Sequence, residues 1–191
     1  MFYFQDLFFI SPFYHLVFPM NKFIITDADI EFMDHGLALL HSHFDLFKSD
    51  QLYAFAKDMS PLYRTMMFNY RQDYQETRIG DPGDLQGVNT GVVMLNLERM
   101  RNSQVFSRYL DSDHMTQLCQ EYKFKGFIGD QDWWNIVVWD KPQLVHFLDC
   151  AFNYQFKQEF NTPPFDKVTQ LLKDFNIYFY CVSDICRICQ L

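Results

Sequence analysis

Residues 23–29 of the chain read FIITDAD, a short apolar and β-branched run followed at once by two carboxylates. Such a run, bounded abruptly by charge, predicts a buried strand. Asp27 and Asp29 then stand at the carboxyl end of that strand, and open α/β sheets bind their ligands at this edge. The stretch therefore predicts an α/β fold together with the position of a candidate site.

The rest of the chain alternates between strand-like and helix-like patterns. Further strands are predicted over residues 52–56, 92–95, 144–148 and 177–180. Helices are predicted over residues 36–47, 98–110, 131–139 and 167–175, and a polar loop over residues 78–87. Strands that alternate with helices indicate an α/β layer architecture with a mostly parallel sheet flanked by helices.

Composition limits the domain count and the partners. The chain has 191 residues, of which 49% are hydrophobic and 19% aromatic, so residues 1–191 are predicted to form one domain. A net charge of -8 argues against nucleic acid as a partner. No Lys or Arg precedes Lys22, and no apolar run reaches the roughly 18 residues of a spanning helix. We therefore expect either a cytosolic protein or one whose amino-terminal part precedes residue 1.

The Asp27-Ala28-Asp29 pair of carboxylates is the first candidate site. At the edge of a sheet, two such side chains can hold Mg²⁺ or Mn²⁺ and leave coordination positions for the phosphates of a substrate. A solvated turn is the alternative. Asp111 and Asp113 have the same spacing, but they lie between two predicted helices, where Asp is expected as a cap.

Two further clusters carry polar groups next to predicted elements. Residues 87–91 read GVNTG before an apolar strand, so a backbone can approach a ligand closely while Asn89 offers a donor and an acceptor. Residues 129–134 read GDQDWW, in which Asp130 and Gln131 are groups that fix sugar hydroxyls and the tryptophans can stack on sugar faces. A plain turn at Asn89 and a helix cap at Asp130 are the respective alternatives.

The order of these three motifs resembles the retaining nucleotide-sugar transferases of glycosyltransferase family 8. Four additional stretches look like its xyloside alpha-1,3-xylosyltransferase branch: residues 58–64, 77–82, 95–101 and 146–150. The resemblance runs from about residue 8 to about residue 181.

The resemblance implies a GT-A fold and a transfer of xylose from UDP-xylose with retained configuration. It implies that Asp27 and Asp29 bind Mn²⁺ (or Mg²⁺), which bridges them to the diphosphate, and that Gln131 and Asp130 occupy catalytic positions. The donor contacts it implies are Asp27, Ala28, Asp29, Asn89, Gly91, Asp130 and Gln131. The acceptor contacts it implies are Trp133, Trp134 and Asn153.

The partner and location that the resemblance implies are equally specific. The acceptor is the xylose of a xylose-glucose disaccharide O-linked to EGF-like repeats of receptors such as Notch. The reaction takes place on the lumenal side of the endoplasmic reticulum membrane and is catalysed by a membrane-anchored full-length form. A disulfide between Cys150 and Cys181 is implied by their near-family spacing.

The sequence departs from the family pattern at both ends. Only 26 residues precede Asp27, so we expect the first nucleotide-binding strand region to be lacking. No His follows His146, so the family's third metal ligand and its native C-terminal tail are expected to be lacking too. An inactive fragment or relic that binds carbohydrate or a partner, and another family 8 transferase with a glucosyl or galactosyl donor, are the alternatives. Arg99 and Arg101 are expected on a solvated helix face.

Overall fold

The structure, a computed structural model, describes residues 10–33, 35–126, 128–155 and 179–181. Its strands are β1 (Lys22–Thr26), β2 (Ile30–Phe32), β3 (Tyr53–Lys57), β4 (Val88–Asn96), β5 (Val145–Leu148), β6 (Tyr154–Gln155) and β7 (Phe179–Cys181). The main sheet has the order β1-β4-β3-β5, and a smaller sheet has the order β2-β7-β6.

Helices flank the main sheet. The described α-helices are α1 (Tyr14–Val17), α2 (Gly36–Ser42), α3 (Leu62–Met66), α4 (Phe68–Asp73), α5 (Leu97–Asn102), α6 (Gln104–Ser107), α7 (Ser112–Glu121) and α8 (Asp130–Asp140). Short 3₁₀-helices cover Ser11–Phe13, His43–Leu46, Arg108–Leu110, Pro142–Leu144 and Cys150–Phe152. None of the helices in the described ranges combines the length and the apolar character that a bilayer crossing requires.

The main sheet contains both antiparallel and parallel strand pairs. β4 is antiparallel to both β1 and β3, whereas β3 and β5 are parallel. β1, β3 and β5 therefore run in one direction, as a mostly parallel sheet requires, and β4 runs against them. The end of β3 and the start of β4 lie at the same edge of the sheet, where Lys57 pairs with Val88. The chain therefore returns as an antiparallel strand, because this needs no crossover to the opposite edge.

An irregularity in β4 prepares the candidate site. Phe55 pairs with Val93, but the next residue, Ala56, pairs with Asn89, so the β4 residues between them leave the β3 ladder. A bulge of this kind frees backbone N–H groups that then need other partners. The GVNTG motif is the sequence that forms this bulge.

The sheet separates two apolar layers, since alternate residues of a strand point to opposite faces. Tyr53 and Phe55 of β3 pack with Trp134 of α8 on one face, and all three are fully buried. Ala54 and Ala56 pack on the other face with Leu40 of α2 and its neighbours. Each large side chain contributes about 1.5–3 kcal/mol on burial, so these layers hold the site edge in place.

Several predicted elements differ from the observed ones. The helix predicted over residues 98–110 is interrupted at Ser103, whose backbone is extended and whose Oγ accepts the Phe106 N–H at 3.1 Å to start α6. The helix predicted over residues 36–47 continues as a 3₁₀-helix from His43. The cap prediction at Asp111 is confirmed, because its carboxylate accepts the N–H groups of Asp113 and His114. The helix predicted over residues 167–175 and part of the strand over residues 177–180 lie outside the described residues.

Arg101 is exposed, as expected for a solvated helix face, whereas Arg99 is half-buried, and both also bind backbone carbonyls. Arg101 donates to the backbone carbonyls of His15, Phe18 and Met20 and to Asn21 Oδ1 at 3.1–3.3 Å. Arg99 donates to the carbonyls of two residues in the turn before β3, Lys48 and Gln51. A guanidinium with five donors can hold several carbonyls at once, so both arginines tie loops to α5.

Candidate functional site

The end of β1 and the bulge of β4 meet directly. The Asp27 N–H donates to the Gly91 carbonyl at 2.9 Å, which continues the β1–β4 pairing by one residue. Asp27, Ala28 and Asp29 then form an exposed turn between β1 and β2. The two carboxylates are therefore presented to solvent at the carboxyl edge, where the sequence predicts them.

Three oxygen atoms surround the position above the Gly91 Cα. A Cβ at this position would lie 2.9 Å from Asn89 Oδ1, 3.3 Å from Asp27 Oδ2 and 3.4 Å from Asn153 Oδ1. These oxygens come from the bulge, from the end of β1 and from the segment after β5. The missing side chain of Gly91 thus leaves an oxygen-lined hollow, which we call the Gly91 hollow.

Asn153 forms the floor of the Gly91 hollow. It is 1% exposed, and its Nδ2 donates to Asn89 Oδ1 at 2.6 Å, while the Gly91 N–H donates to the same oxygen at 2.8 Å. The Asn153 Oδ1 is buried and has no hydrogen-bond partner among the described residues. Asn153, a predicted acceptor contact, thus lies beneath Asn89, one of the predicted donor contacts.

The surroundings of Asp27 disfavour the ionised form of its carboxyl group. Although its side chain reaches solvent, partial burial raises the pKa of Asp27, and the negative charges of Asp29 and Asp130 raise it further. Desolvation is the larger of the two causes, and like-charge repulsion adds to it. A cation bound at this edge would relieve both effects.

Gln131 is fixed at both ends of its amide. Its Oε1 accepts the Thr90 N–H at 3.1 Å and the Thr90 hydroxyl at 3.3 Å, and its Nε2 donates to the Tyr63 hydroxyl at 3.2 Å. One of the backbone donors freed by the bulge is thereby satisfied by α8. Gln131 is brought to the site edge, with an orientation that its neighbours determine.

Tyr63 and Asp132 complete this network, and sequence reasoning missed both. The fully buried Tyr63 donates its hydroxyl to Asp132 Oδ1 at 3.0 Å, and Asp132 Oδ2 accepts the Ile128 N–H at 2.6 Å. Two glycines make room for the pair. A Cβ on Gly126 would lie 2.5 Å from Asp132 Oδ2, and one on Gly87, whose φ is +125°, would lie 2.6 Å from the Tyr63 ring.

Asn135 is another functional neighbour that the sequence analysis did not identify. It is fully buried in α8, where its Oδ1 accepts the Val88 N–H at 2.7 Å and its Nδ2 donates to the Val88 carbonyl at 3.0 Å. This bidentate contact fixes the start of β4. The available signal was an amide within the apolar run WWNIVVW, because buried polar side chains are almost always hydrogen-bonded.

Asp130 is the first residue of α8 and follows the N-cap residue Gly129. Its Oδ2 accepts the Ser11 hydroxyl at 2.6 Å. Burial raises the pKa of Asp130, and the Ser11 hydrogen bond offsets part of that rise. Its charge also reaches Asp27, as the raised pKa of Asp27 indicates.

The two tryptophans differ in accessibility. Trp133 is half-buried and lies edge-on to Phe106 and Tyr109. Trp134 is 0% exposed and packs against Tyr53 and Phe106, so it offers no surface to an acceptor, and the prediction for Trp134 is corrected. The reason is that α8 enters the core after its first turn, since every residue from Trp134 to Trp139 is buried.

A metal at this edge has few charged ligands among the described residues. No group of three or more His, Cys, Asp and Glu side chains clusters there in a way that could hold an ion. Asp27 and Asp29 are oxygen ligands of the kind that Mg²⁺ and Mn²⁺ prefer, and the Gly91 hollow adds uncharged oxygens beside Asp27. The donor set therefore fits a hard divalent cation that keeps positions for other ligands.

Known proteins resemble the chain in sequence and fold. Xyloside xylosyltransferase 1 of Homo sapiens is 33% identical over 188 residues, which cover 96% of this chain and 46% of the human protein. The crystal structure of the mouse protein in its apo form gives a TM-score of 0.82 at 31% identity, covering 97% of this chain and 67% of the mouse chain. The apo bifunctional glycosyltransferase WbbM, at 17% identity and a TM-score of 0.58, covers 94% of this chain and 32% of its own, and supports the fold alone. No protein-family profile matches the chain.

The chain spans about half the length of the curated relatives it matches. Within that span the mixed sheet and its flanking helices match GT-A glycosyltransferases, which confirms the predicted fold. The 31% identity to the mouse protein, over 67% of its chain, shows a family relationship as well as a shared fold. By these measures the chain belongs to the xyloside xylosyltransferase family.

Proposed function

We propose that the chain carries the donor site of a retaining xylosyltransferase. In this proposal, xylose moves from UDP-xylose to the xylose of an O-linked xylose-glucose disaccharide on EGF-like repeats of the Notch type. The observation that carries it is the meeting of the exposed Asp27-Ala28-Asp29 turn with the Gly91 hollow, in a member of the xyloside xylosyltransferase family. The names of the relatives, a xylosyltransferase acting on a xyloside, support this donor and acceptor.

The proposed cofactor is Mn²⁺ or Mg²⁺ held by Asp27 and Asp29. The raised pKa of Asp27 supports this, since repulsion from Asp29 and Asp130 is a penalty that a cation offsets. When bound, such an ion acts as a Lewis acid for the charge that develops on the leaving diphosphate.

The side chains around the Gly91 hollow are proposed to hold the donor sugar. Gly91 lets the donor approach the backbone, and the unpartnered Asn153 Oδ1 is an acceptor available to a sugar hydroxyl. Asn89 already accepts two hydrogen bonds, so it orients Asn153 and the bulge. Exposed Trp133 atoms remain candidates for the acceptor sugar.

Retention of configuration is part of the proposal. The bond between C1 of xylose and the phosphate oxygen would break, the acceptor oxygen would bond to C1 on the face that the diphosphate leaves, and the proton of the acceptor hydroxyl would pass to the leaving diphosphate. No strong nucleophile is required for this route. Gln131, whose amide is engaged by Thr90 and Tyr63, is suited to fixing the geometry beside the sugar.

The endoplasmic reticulum lumen is the proposed compartment, with a membrane-anchored full-length form. Cys150 is disulfide-bonded, and disulfides persist in oxidising compartments such as this lumen. Its pairing with Cys181, whose side chain lies outside the described residues, stays a prediction.

Mass spectrometry of an EGF-like repeat carrying xylose-glucose tests the proposal. With the chain, UDP-xylose and Mn²⁺, the acceptor should gain one pentose, and chelation of the metal should abolish the gain. A repeat with glucose alone is the acceptor control, and UDP-glucose and UDP-galactose are the donor controls. Transfer of a hexose would support another family activity, and absence of both transfer and UDP binding in calorimetry would support a carbohydrate-binding relic.

A further inference from the structure

Ser11 links the amino-terminal segment to the site through two short hydrogen bonds. It begins the 3₁₀-helix Ser11–Phe13 and is 6% exposed. Its hydroxyl donates to Asp130 Oδ2 at 2.6 Å, and the Trp134 Nε1–H donates to its Oγ at 2.9 Å. Asp130 and Trp134 are four residues apart and lie on neighbouring turns of α8, so one hydroxyl bridges both.

The direction of these bonds is fixed by chemistry. An indole N–H donates and cannot accept, so the Ser11 oxygen receives the Trp134 proton and its own single proton is left for Asp130. Trp134 is locked in the core between Tyr53 and Phe106. A χ1 rotation that moves the Ser11 oxygen away from Asp130 would therefore also leave the indole N–H of Trp134 unpaired.

We propose that Ser11 is a positioning residue that fixes the Asp130 carboxylate in the donor site. The inference rests on the proposed function, in which Asp130 contacts the donor sugar. It adds a residue 16 positions before Asp27 to the machinery and makes the segment before β1 part of the site. Ser11 itself touches no substrate, since it lies behind Asp130 against the core.

A purely structural role, in which Ser11 only satisfies Trp134, makes different predictions. Ser11→Ala removes both hydrogen bonds, Ser11→Thr keeps a hydroxyl for both, and Trp134→Phe removes the indole donor but leaves the bond to Asp130. Loss of stability common to Ser11→Ala and Trp134→Phe reports the structural part. Only Ser11→Ala should disturb Asp130.

The decisive measurement is the titration of the Asp130 carboxyl by ¹³C NMR, with turnover of UDP-xylose measured in parallel. A hydroxyl that donates to a carboxylate favours its ionised form, so Ser11→Ala should raise the pKa of Asp130. Turnover at saturating donor should fall about tenfold, the equivalent of one hydrogen bond, with the donor KM changed less than about threefold. Ser11→Thr should stay within about twofold of the original chain, and Trp134→Phe should keep the pKa of Asp130.

An unchanged pKa of Asp130 in Ser11→Ala, or an equal shift in Trp134→Phe, overturns the inference. The titration needs no activity, so it separates the two proposals. If the original chain transfers no sugar, the proposed function fails, while the Asp130 titration still decides whether Ser11 fixes that carboxylate.

Discussion

Asn153 Nδ2 donates to Asn89 Oδ1 across 2.6 Å and leaves its own Oδ1 buried without a partner beside the Gly91 hollow. An unpaired buried acceptor costs about 1–3 kcal/mol, and a ligand hydroxyl that donates to it recovers that cost on binding. The pair therefore explains how a preformed edge can discriminate a sugar-bearing donor from the nucleotide alone.

Asn153→Leu tests this explanation. The change removes the unpaired acceptor and its donor together, so the free energy of unfolding should change by less than about 1.5 kcal/mol. Affinity for UDP-xylose should fall about tenfold, which corresponds to one lost hydrogen bond. Affinity for UDP with Mn²⁺, which lacks the xylose, should be retained. Calorimetric titration with both ligands is the measurement, and an equal loss for the two ligands would contradict a role at the sugar.

Gly91→Ala should separate site chemistry from stability. The new Cβ would lie 2.9 Å from Asn89 Oδ1 and 3.3 Å from Asp27 Oδ2, so it fills the hollow and donor turnover should fall at least about tenfold. Gly83→Ala is the matched control: it has open space but a φ of +79°, so it should lower the melting temperature and spare turnover. Turnover lost equally in both variants would show that the effect is not local.

The limits of sequence reasoning are visible in these same residues. Asp27, Asn89 and Asp130 could be predicted at the edge because strand ends and turn residues are local patterns. Local patterns do not predict Asn153, which only the family resemblance indicates, nor Tyr63 and Ser11, since their roles arise from partners 64 to 119 positions away in the chain. The direction of β4 was equally hidden, because an apolar run looks the same whichever way the strand runs.

Trp134 shows the converse error. A tryptophan next to an Asp-Gln pair is typical of a sugar platform, but position within α8 decides which face it occupies. The adjacent Trp133 is half-buried and Trp134 is fully buried, so one residue of offset separates surface from core. Only the packing of α8 on the sheet determines which of the two tryptophans is buried.

Two buried tyrosines offer a matched pair of hydroxyl deletions. Tyr63 and Tyr53 are both 0% exposed, but the Tyr63 hydroxyl bonds to Gln131 and Asp132, whereas the Tyr53 hydroxyl has no partner. Tyr63→Phe should lower the free energy of unfolding by about 1–3 kcal/mol, because it leaves buried groups unpaired. Tyr53→Phe should be neutral or stabilising. Urea denaturation of both variants is the measurement, and equal losses would contradict the network.

Arg101→Lys should loosen the segment that precedes β1. Lysine cannot reproduce the fork that holds the His15, Phe18 and Met20 carbonyls, although it keeps the charge. These bonds are partly open to water, so a loss of about 1 kcal/mol is expected in urea denaturation, with faster amide exchange in α1. Arg108→Lys, at another exposed position, is the control and should change neither quantity. Unchanged exchange in α1 would count against Arg101 as its anchor.

Asp27→Asn should stabilise the metal-free chain while removing its response to Mn²⁺. The raised pKa of Asp27 means that the folded state binds the proton more tightly than the unfolded state. This contribution to stability is present in full below the unfolded pKa and is lost as the pH rises through the folded one, so at neutral pH the ionised carboxylate is a penalty. Asparagine removes the repulsion with Asp29 and Asp130, and the melting temperature in chelator at pH 7 should rise. Added Mn²⁺ should raise the melting temperature of the original chain and of the exposed-turn control Asp50→Asn, since a ligand of the folded state stabilises it, but not that of Asp27→Asn. An equal Mn²⁺ response in Asp27→Asn would remove this residue from the metal site.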